Sequence, residues 1–364
     1  MAHEPLIHRF DRIASFDALL AAYGRARRAG RVRSETAAFD RALEGNLLAL
    51  REELVAGTYR PGGYRSFFVT VPKRRLVSAA PFRDRVVHHA LVGALEPLFE
   101  RRFIPDSFAC RKGKGTHAAL NRAHGFVRRF RYCLCADVVR FFPSVDHEVL
   151  MATVARVVRC GRTLDLLQRI LDGGKGVLRS EYPGTLFPSD DLLALLRPRG
   201  LPIGNLTSQF LANVHLDPLD HFVKEGLRVR GYVRYADDFR VFDDSKERLH
   251  EVRREMERFL GGLRLVLHDR KTQVIPCAAG VPFLGFVLLP DGRRRLRREG
   301  VRRFRKRLRA LARDLAAGRT TQEKVSDSVR AWLAHADHAQ AERLKRQVLR
   351  EVTFTCKPNG RPSS

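Results

Sequence analysis

A pair of adjacent acids between two apolar, alternating stretches is the feature that most constrains this chain. Residues 232–235 and 239–242 combine aromatic and β-branched side chains in alternation with polar ones, and Asp237 and Asp238 lie between them. The pattern predicts a β-hairpin whose turn carries the two carboxylates. Aspartate is common in turns because its short side chain bonds the neighbouring backbone. Taken alone, the pair therefore indicates a turn.

A third acid, Asp137, ends an almost wholly apolar stretch at residues 132–136. Burying a carboxylate there is costly unless the group is paired or bound to a metal. A helix cap or a salt bridge to an arginine is one explanation. If this strand is a neighbour of the hairpin, the carboxylates of Asp137, Asp237 and Asp238 converge. Hard oxygen ligands of that kind suit Mg²⁺, and two such ions can promote phosphoryl transfer.

The net charge of the chain indicates a polyanionic partner. Its 364 residues include 68 Lys and Arg against 40 Asp and Glu, which gives +28 and a sequence pI of about 11.0. Nucleic acid is the first candidate and an anionic membrane surface the second. No apolar run reaches the length of a membrane span, and the N-terminus lacks the apolar core of a signal peptide. We therefore expect a cytoplasmic protein that does not act on membranes.

Local patterns predict an α+β chain of helices and short strands. Apolar spacing predicts helices at 11–60, 83–100, 210–219 and 246–262, and strands at 66–71, 76–79, 132–138, 263–267 and 283–288. Residues 291–314 hold twelve Lys or Arg against three acids, which predicts a basic helical segment and a boundary near residue 290. A solvated charged face is the common explanation of such a run, but this excess favours a nucleic-acid surface.

Several motifs, in their order along the chain, resemble those of reverse transcriptases. Residues 235–238, Tyr-Ala-Asp-Asp, resemble the Tyr-x-Asp-Asp box of that family. Residues 137–147 resemble its first metal-binding motif, and residues 200–213 resemble the motif that follows. The matching segments between residues 60 and 340 also include the basic hairpin at 72–79, residues 83–85, the loop at 107–117, Lys271, and residues 283–285.

The resemblance implies a right-hand polymerase of the α+β class. The expected parts are an N-terminal helical extension (1–60), fingers (61–131), a palm with an antiparallel sheet (132–290, including an inserted segment at about 151–199), a basic helical thumb (291–350) and a tail (351–364). The implied activity is RNA-directed DNA polymerisation, a nucleotidyl transfer. Its partners would be an RNA template, a DNA or RNA primer and dNTPs.

The resemblance also implies a catalytic set. Two Mg²⁺ ions, with Mn²⁺ as an alternative, would be held by Asp137 and Asp237, with Val138 and Asp238 completing the metal-binding set. Lys271 would protonate the leaving pyrophosphate as a general acid. For Lys271, an ordinary surface lysine is the alternative.

The remaining expected contacts divide between the nucleotide and the nucleic acid. Residues implied at the incoming nucleotide are Lys73, Arg75 (or Arg74 in its place), Phe142, Ile203, Gly204 and Gln209. Phe142 would exclude a ribose 2′-hydroxyl, with core packing as the alternative. Residues implied at the template–primer duplex are Arg111, Lys112, Lys114, Arg302, Arg303, Arg305, Lys306, Trp332 and His335.

The motif that contains Ile203 and Gln209 resembles one subgroup of reverse transcriptases more than the others. Most relatives have Gln at the position of Ile203, whereas an aliphatic residue there together with Gln209 resembles reverse transcriptases of diversity-generating retroelements. That resemblance implies error-prone copying of a template-repeat RNA, with a small basic accessory protein as partner. The alternatives are a retron, defence-associated or group II intron-type reverse transcriptase, or a non-catalytic RNA-binding protein on the same scaffold.

Overall fold

The computed structural model describes residues 9–28, 34–70, 74–188 and 190–354. The helices are α1 Arg9–Ala14, α2 Phe16–Arg28, α3 Ser34–Arg41, α4 Leu43–Ala56, α5 Phe82–Glu100, α6 Thr116–Arg129, α7 Phe141–Ser144, α8 His147–Ala155, α9 Gly161–Gly173, α10 Leu206–His221, α11 Lys246–Gly262, α12 Arg298–Ala316, α13 Gln322–Ala336 and α14 Glu342–Arg350. The strands are β1 Arg65–Val69, β2 Arg75–Ala79, β3 Tyr132–Asp137, β4 Gly231–Tyr235, β5 Asp238–Asp243, β6 Gln273–Pro276, β7 Val281–Phe283, β8 Phe286–Leu288 and β9 Arg294–Leu296. The expected mixture of helices and antiparallel sheets is confirmed.

A four-stranded antiparallel sheet, in the order β4-β5-β3-β6, forms the centre of the fold. Both of its faces are covered, because Leu134 and Val241 belong to one buried apolar cluster and Cys133 and Phe242 to another. Burial on two faces explains why β3 is apolar at almost every position. The predicted hairpin of β4 and β5 is confirmed, and β3 is the direct neighbour of β5.

The helical prediction for the N-terminal part is also confirmed. Helices α2 and α4 bury one apolar face each, and α2 packs against α5, which contributes Val86, Leu91 and Leu95 to the same core. Helix α4 ends at Gly57, whose φ of 69° is a left-handed conformation that glycine adopts without strain. The hairpin of β1 and β2 follows, and its tip lies outside the described residues.

The prediction of a strand at 263–267 is wrong. Leu265 and Leu267 are buried, which produces the alternation, but the segment makes only an isolated bridge between Leu267 and Val138. Two further backbone bonds tie it to the end of β3, from Val139 N to Val266 O and from His268 N to Asp137 O. The ladder with β3 is formed instead by β6, which the apolar pattern did not predict.

The prediction of one strand at 283–288 is also wrong. Residues 281–288 form two short antiparallel strands, β7 and β8, joined by a two-residue turn. Leu284 and Gly285 in this turn have φ values of 45° and 90°. Two consecutive positive φ angles are typical of the turns that join closely paired strands. Because Leu284, the first residue of the turn, is apolar, the sequence pattern gave no sign that the chain reverses direction here.

The basic segment 291–314 begins with β9 and continues into α12. The apolar stripe of α12 packs with α14 in a small separate cluster that contains Val301, Phe304, Leu308 and Val348. Between α9 and α10, the described part of residues 174–205 contains short 3₁₀ helices and an isolated bridge from Arg199 to Asp146. None of the described helices combines the length and apolar character that crossing a bilayer requires.

Candidate active site

The sheet brings the three acids predicted from the sequence to the same end of its strands. Asp137 is the last residue of β3 and lies directly opposite Asp238, the first residue of β5. Asp237 occupies the turn between β4 and β5, after Ala236, whose φ is 55°. The turn is tied to β3 by a backbone bond from Val138 N to Asp237 O of 3.4 Å. Strand pairing therefore joins acids that are far apart in the sequence.

Burial and the neighbouring acids raise the proton affinity of the Asp237 carboxylate. Burial, followed by the charges of Asp137 and Asp238, raises the pKa of Asp237 to about 6. Burial also raises the pKa of Asp238, although the adjacent Arg240 opposes this shift. Carboxylates that repel one another in this way favour either a shared proton or a bound cation.

Two of the acids already contact cations. The Lys271 ammonium donates to Asp137 Oδ1 at 2.8 Å, and Arg240 pairs with Asp238. The guanidinium of Arg240 is buried and also donates to the carbonyl oxygen of Pro282 in β7. Asp237 forms no ion pair with any described residue, so its carboxylate is the one left for an external cation.

The donor set of the three acids bears on the predicted metal site. Among the residues that the structure describes, no three His, Cys, Asp or Glu side chains lie close enough to hold a metal ion, so the expected three-carboxylate convergence is not seen there. Asp238 is directed to Arg240, which leaves Asp137 and Asp237 as the paired oxygen donors. Two carboxylates fit Mg²⁺, which usually keeps several waters and binds substrate phosphates. The residues therefore fit an open divalent site better than a closed one.

One cation of the β1–β2 hairpin, Arg75, acts on the acids. Arg75 is exposed and is one of the charges that lower the pKa of Asp237. Arg74 instead stacks on the ring of Phe68, with its guanidinium carbon 3.9 Å from the ring centroid. Lys73 lies outside the described residues. Of the two arginines that the sequence left open, Arg75 is thus the one whose charge acts on the pKa of Asp237.

The loop before α10 packs against the same hairpin. Ile203 is half-buried and its carbonyl oxygen accepts from Ser78 N at 2.7 Å. Gly204 has a φ of 114°, and a Cβ there would be 2.8 Å from a methyl group of Val77. Gln209 is exposed on the first turns of α10. Asn205, which sequence reasoning did not single out, bonds Ser78 O, Pro202 O and Ala80 N.

Phe142 lies in α7, the short helix that follows Asp137 along the chain. Its ring packs edge-on against Phe141 with centroids 5.3 Å apart, and the side chain is partly buried against the main core. Its carbonyl oxygen accepts from Leu201 N at 2.8 Å, which joins α7 to the loop that precedes α10. Val138, the other residue expected at the metal, is buried and pairs with Leu267.

The three cations of the 107–117 loop have different surroundings. The Arg111 guanidinium is buried and bonds Glu100 and the carbonyl oxygens of Ile104 and Ser107, so it stabilises the loop internally. Lys114 donates to Pro105 O. Lys112 pairs with Glu96 but its side chain is 86% exposed. Lys112 is therefore the most accessible of the three cations.

The helical C-terminal part carries the remaining predicted residues. Arg302, Arg303 and Lys306 lie on the exposed side of α12, whereas Arg305 is half-buried and bonds Glu351. Trp332 stacks on Phe304 with the rings 4.2 Å apart and nearly parallel. His335 lies against Phe286 of β8, at 4.6 Å between ring centroids. Trp332 and His335 thus join α13 to α12 and to the β7–β8 hairpin.

Sequence reasoning missed two arginines that flank the acid pair. Arg234 lies three residues before Asp237 and Arg240 two residues after Asp238, and both arginines are buried. The signal was present, since each is a charged residue inside an otherwise apolar strand. A buried arginine in such a place requires a carboxylate partner.

Comparison with known proteins agrees with the ordered motifs. The family model for reverse transcriptase (RNA-dependent DNA polymerase) matches residues 70–288, more than half of the chain. The chain is 26% identical to Protein YkfC of Escherichia coli (strain K12) over 286 residues, which cover 67% of this chain and 71% of that protein.

Two further relatives are encoded in introns. The chain is 23% identical to the group II intron-encoded protein LtrA of Lactococcus lactis subsp. cremoris, over 64% of this chain and 36% of that protein. It is 22% identical to the putative COX1/OXI3 intron 1 protein of Saccharomyces cerevisiae, over 65% of this chain and 34% of that protein. The chain thus spans about a third of each of these two longer proteins.

Proposed function

Because this chain belongs to the reverse transcriptase family, we propose that it is an active RNA-directed DNA polymerase with Asp137 and Asp237 as its catalytic acids. The observation that carries the proposal is the strand register, which sets Asp137 against the Asp237–Asp238 turn. Burial and the charge of Asp137 also raise the pKa of Asp237, which a bound cation would offset. A non-catalytic binding protein has no need for such a costly arrangement.

The chemistry divides between the ions and the side chains. Two divalent ions, Mg²⁺ or Mn²⁺, would activate the primer hydroxyl and stabilise the leaving oxygen. Asp137 and Asp237 hold them, and Arg240 keeps Asp238 in a supporting role. Arg75, with Lys73, binds the triphosphate. Lys271, whose ammonium lies on Asp137, carries the proton for the departing pyrophosphate.

The rest of the chain would grip nucleic acid and nucleotide. In this proposal residues 61–131 act as fingers, 132–290 as the palm and 291–350 as the thumb. The exposed cations Arg302, Arg303 and Lys306 of α12 contact the backbone of the template–primer duplex without reading its sequence. Phe142, which lies in α7 five residues after Asp137, excludes the ribose 2′-hydroxyl.

Primer extension tests the polymerase proposal. Purified protein should extend a DNA primer on an RNA template with dNTPs and Mg²⁺, and EDTA should stop the reaction. Asp237→Ala should remove extension, since the residue whose side chain is left for a cation would be gone. Undiminished extension by Asp237→Ala, with the protein folded, would contradict the proposed site.

Within the family, we propose mutagenic copying of a template-repeat RNA as in diversity-generating retroelements. The support is Ile203 at a position beside the β1–β2 hairpin, together with Gln209. An apolar side chain near the incoming nucleotide offers no hydrogen bond to the base pair, which lowers discrimination between bases. A small basic accessory protein would then be a partner.

An intron-type reverse transcriptase is the second candidate, favoured by the intron-encoded relatives. Sequencing of cDNA made on a defined RNA separates the two. Errors concentrated at template adenines support the first candidate, and a uniformly low error rate supports the second. Ile203→Gln should reduce the adenine errors if Ile203 causes them, whereas the neighbouring Leu206→Met should leave the error pattern unchanged.

A further inference from the structure

A buried polar network surrounds Arg234, which lies three residues before Asp237. Arg234 and Asp220 of α10 are both fully buried, and the guanidinium bonds both oxygens of that carboxylate. Its Nη1 also donates to Asn213 Oδ1 at 2.9 Å. The Tyr232 hydroxyl donates to Asp220 at 2.7 Å. Asp220 thus neutralises the charge of Arg234 inside the core. Only a forked guanidinium has the geometry to make all of these hydrogen bonds at once.

The same guanidinium reaches the turn that carries Asp237. Arg234 Nη1 donates to the carbonyl oxygen of Ala236 at 3.2 Å. Ala236 has a φ of 55°, a conformation that is unfavourable for a residue with a Cβ. A strained residue persists when its surroundings fix it in place. The bond from Arg234 supplies such a constraint one residue before Asp237.

The network also extends to the loop that precedes α6. Arg234 N donates to Asp106 O at 2.9 Å, and Phe108 N donates to Arg234 O at 3.0 Å. Asn213 Nδ2 donates to Ala109 O at 2.8 Å. The acid-bearing turn, helix α10 and this basic loop therefore share one hydrogen-bonded centre.

We propose that Arg234 is a positioning residue that fixes the Ala236–Asp237 turn so that Asp237 faces Asp137. The inference rests on the proposed polymerase function, because it assigns Arg234 to the acids of that site. A displacement of about 1 Å at a reacting group can cost about a hundredfold in rate. Loosening the turn should therefore impair ion binding and turnover before it impairs RNA binding.

The variant Arg234→Lys tests this role. Lysine keeps the charge opposite Asp220 but has no fork that can reach Asp220, Asn213 and Ala236 O together. Tyr232→Phe is the matched control, because it removes a hydrogen bond from the same Asp220 without touching the turn. Asn213→Ser serves as a milder second variant if Arg234→Lys does not fold.

Three measurements separate positioning from simple stability. Mn²⁺ binding to the nucleic-acid-free protein is measured by electron paramagnetic resonance. The rate of dNTP incorporation is measured at saturating primed RNA and dNTP. The affinity for RNA is measured by fluorescence anisotropy. We expect Arg234→Lys to weaken Mn²⁺ binding about fivefold or more and to lower kcat about 10- to 100-fold, with RNA affinity within about twofold. Asn213→Ser should show the same pattern to a smaller degree.

The outcomes distinguish this inference from the proposed function. If Arg234→Lys changes Mn²⁺ affinity and kcat no more than Tyr232→Phe does, Arg234 has only a structural role and the inference is wrong. If the wild-type protein does not incorporate dNTPs at all, the proposed polymerase function fails. The Mn²⁺ comparison would still decide whether Arg234 positions the acids.

Discussion

The three acids lie at the same end of the central sheet but differ in their partners. Asp137 accepts from Lys271, Asp238 pairs with the buried Arg240, and Asp237 pairs with no described cation. These differences assign separate tasks to chemically identical groups. In our account Asp137 and Asp237 hold the ions, and Asp238 fixes the start of β5.

The pH dependence of stability should reveal that the charged form of the Asp237 carboxylate is destabilised in the folded protein. Its pKa is raised from 3.8 to about 6, so the folded state binds this proton more tightly than the unfolded state does. The resulting stabilisation is complete below about pH 4 and is lost as the pH rises through 6. Asp237→Asn should therefore stabilise the metal-free protein at pH 7.5 by about 2 kcal/mol, and by less at pH 5.

Thermal unfolding in EDTA at the two pH values measures this difference. Asp165→Asn, on the exposed side of α9, is the control and should follow the wild type at both pH values. If Asp237→Asn is no more stable than the wild type at pH 7.5, folding does not destabilise the charged carboxylate of Asp237, and this prediction is wrong.

The pair of the buried Arg240 with the partly buried Asp238 leads to a second prediction. Arg240→Met leaves Asp238 and the carbonyl oxygen of Pro282 without their donor, so we expect a loss of about 3 kcal/mol in the free energy of unfolding. Arg258→Met removes an exposed pair with Glu255 and should change stability by less than about 0.5 kcal/mol. Urea unfolding of both variants checks the contrast, and equal losses would contradict it.

The sequence predicted the acids but not the arginines that hold them. Asp137 and Asp237 were predictable because family-like motifs surround them. By sequence, Arg234 and Arg240 are the polar members of alternating strands, for which the expected environment is solvent. The sheet is covered on both faces, so these side chains are buried with carboxylates instead. Only the packing of α10 and of the β7–β8 hairpin shows their partners.

At the scale of elements, the β7–β8 hairpin connects the acids to the helical C-terminal part. Pro282 O accepts from Arg240, and Phe286 contacts His335 of α13. The turn between the strands lies close to that helix, because a Cβ on Gly285 would lie 3.3 Å from the His335 ring. Its conformation should therefore matter for both stability and the placement of α13.

A pair of glycine substitutions tests this turn. Gly285→Ala places a side chain at a φ of 90° and against His335, so we expect a loss of at least about 1 kcal/mol. Gly300→Ala lies within α12 with open space around the position, and should stabilise the protein by about 0.5–1 kcal/mol. Urea unfolding measures both, and a neutral Gly285→Ala would contradict the assigned turn.

Strand prediction succeeded where a ladder exists along the whole segment and failed where it does not. The alternation at 263–267 reflects side chains that enter the core, whereas hydrogen bonding there involves only the end of β3. Apolar periodicity reports burial, and a strand additionally requires a free neighbouring edge. That edge of β3 is taken by β6, a pairing between segments distant in the sequence.

For the whole molecule, the charge of +28 is the dominant property. Some of the cations are used internally, as Arg111, Arg234 and Arg240 show. Others, such as Arg302 and Lys306 on α12, are exposed and lie four residues apart on one face of the helix. Exposed cations of this kind are the ones that can release counterions from bound nucleic acid.

Salt dependence tests that distribution. Affinity for an RNA–DNA duplex should fall steeply with salt, and Arg302→Ala and Lys306→Ala should each reduce the slope of log K against log salt by about one. Arg258→Ala on α11 is the control and should leave the slope unchanged. Fluorescence anisotropy across a salt series provides the slopes, and equal slopes for all variants would remove α12 from the nucleic-acid surface.

The most direct test of the central claim is the dNTP incorporation rate of Asp137→Asn, Asp237→Asn and the double variant on primed RNA. If the two acids act as one ion-binding unit, either single change removes the function of the pair, and all three variants should fall to the same residual rate. Retained synthesis in either single variant, or a double variant whose loss is the product of the two single losses, would contradict the account.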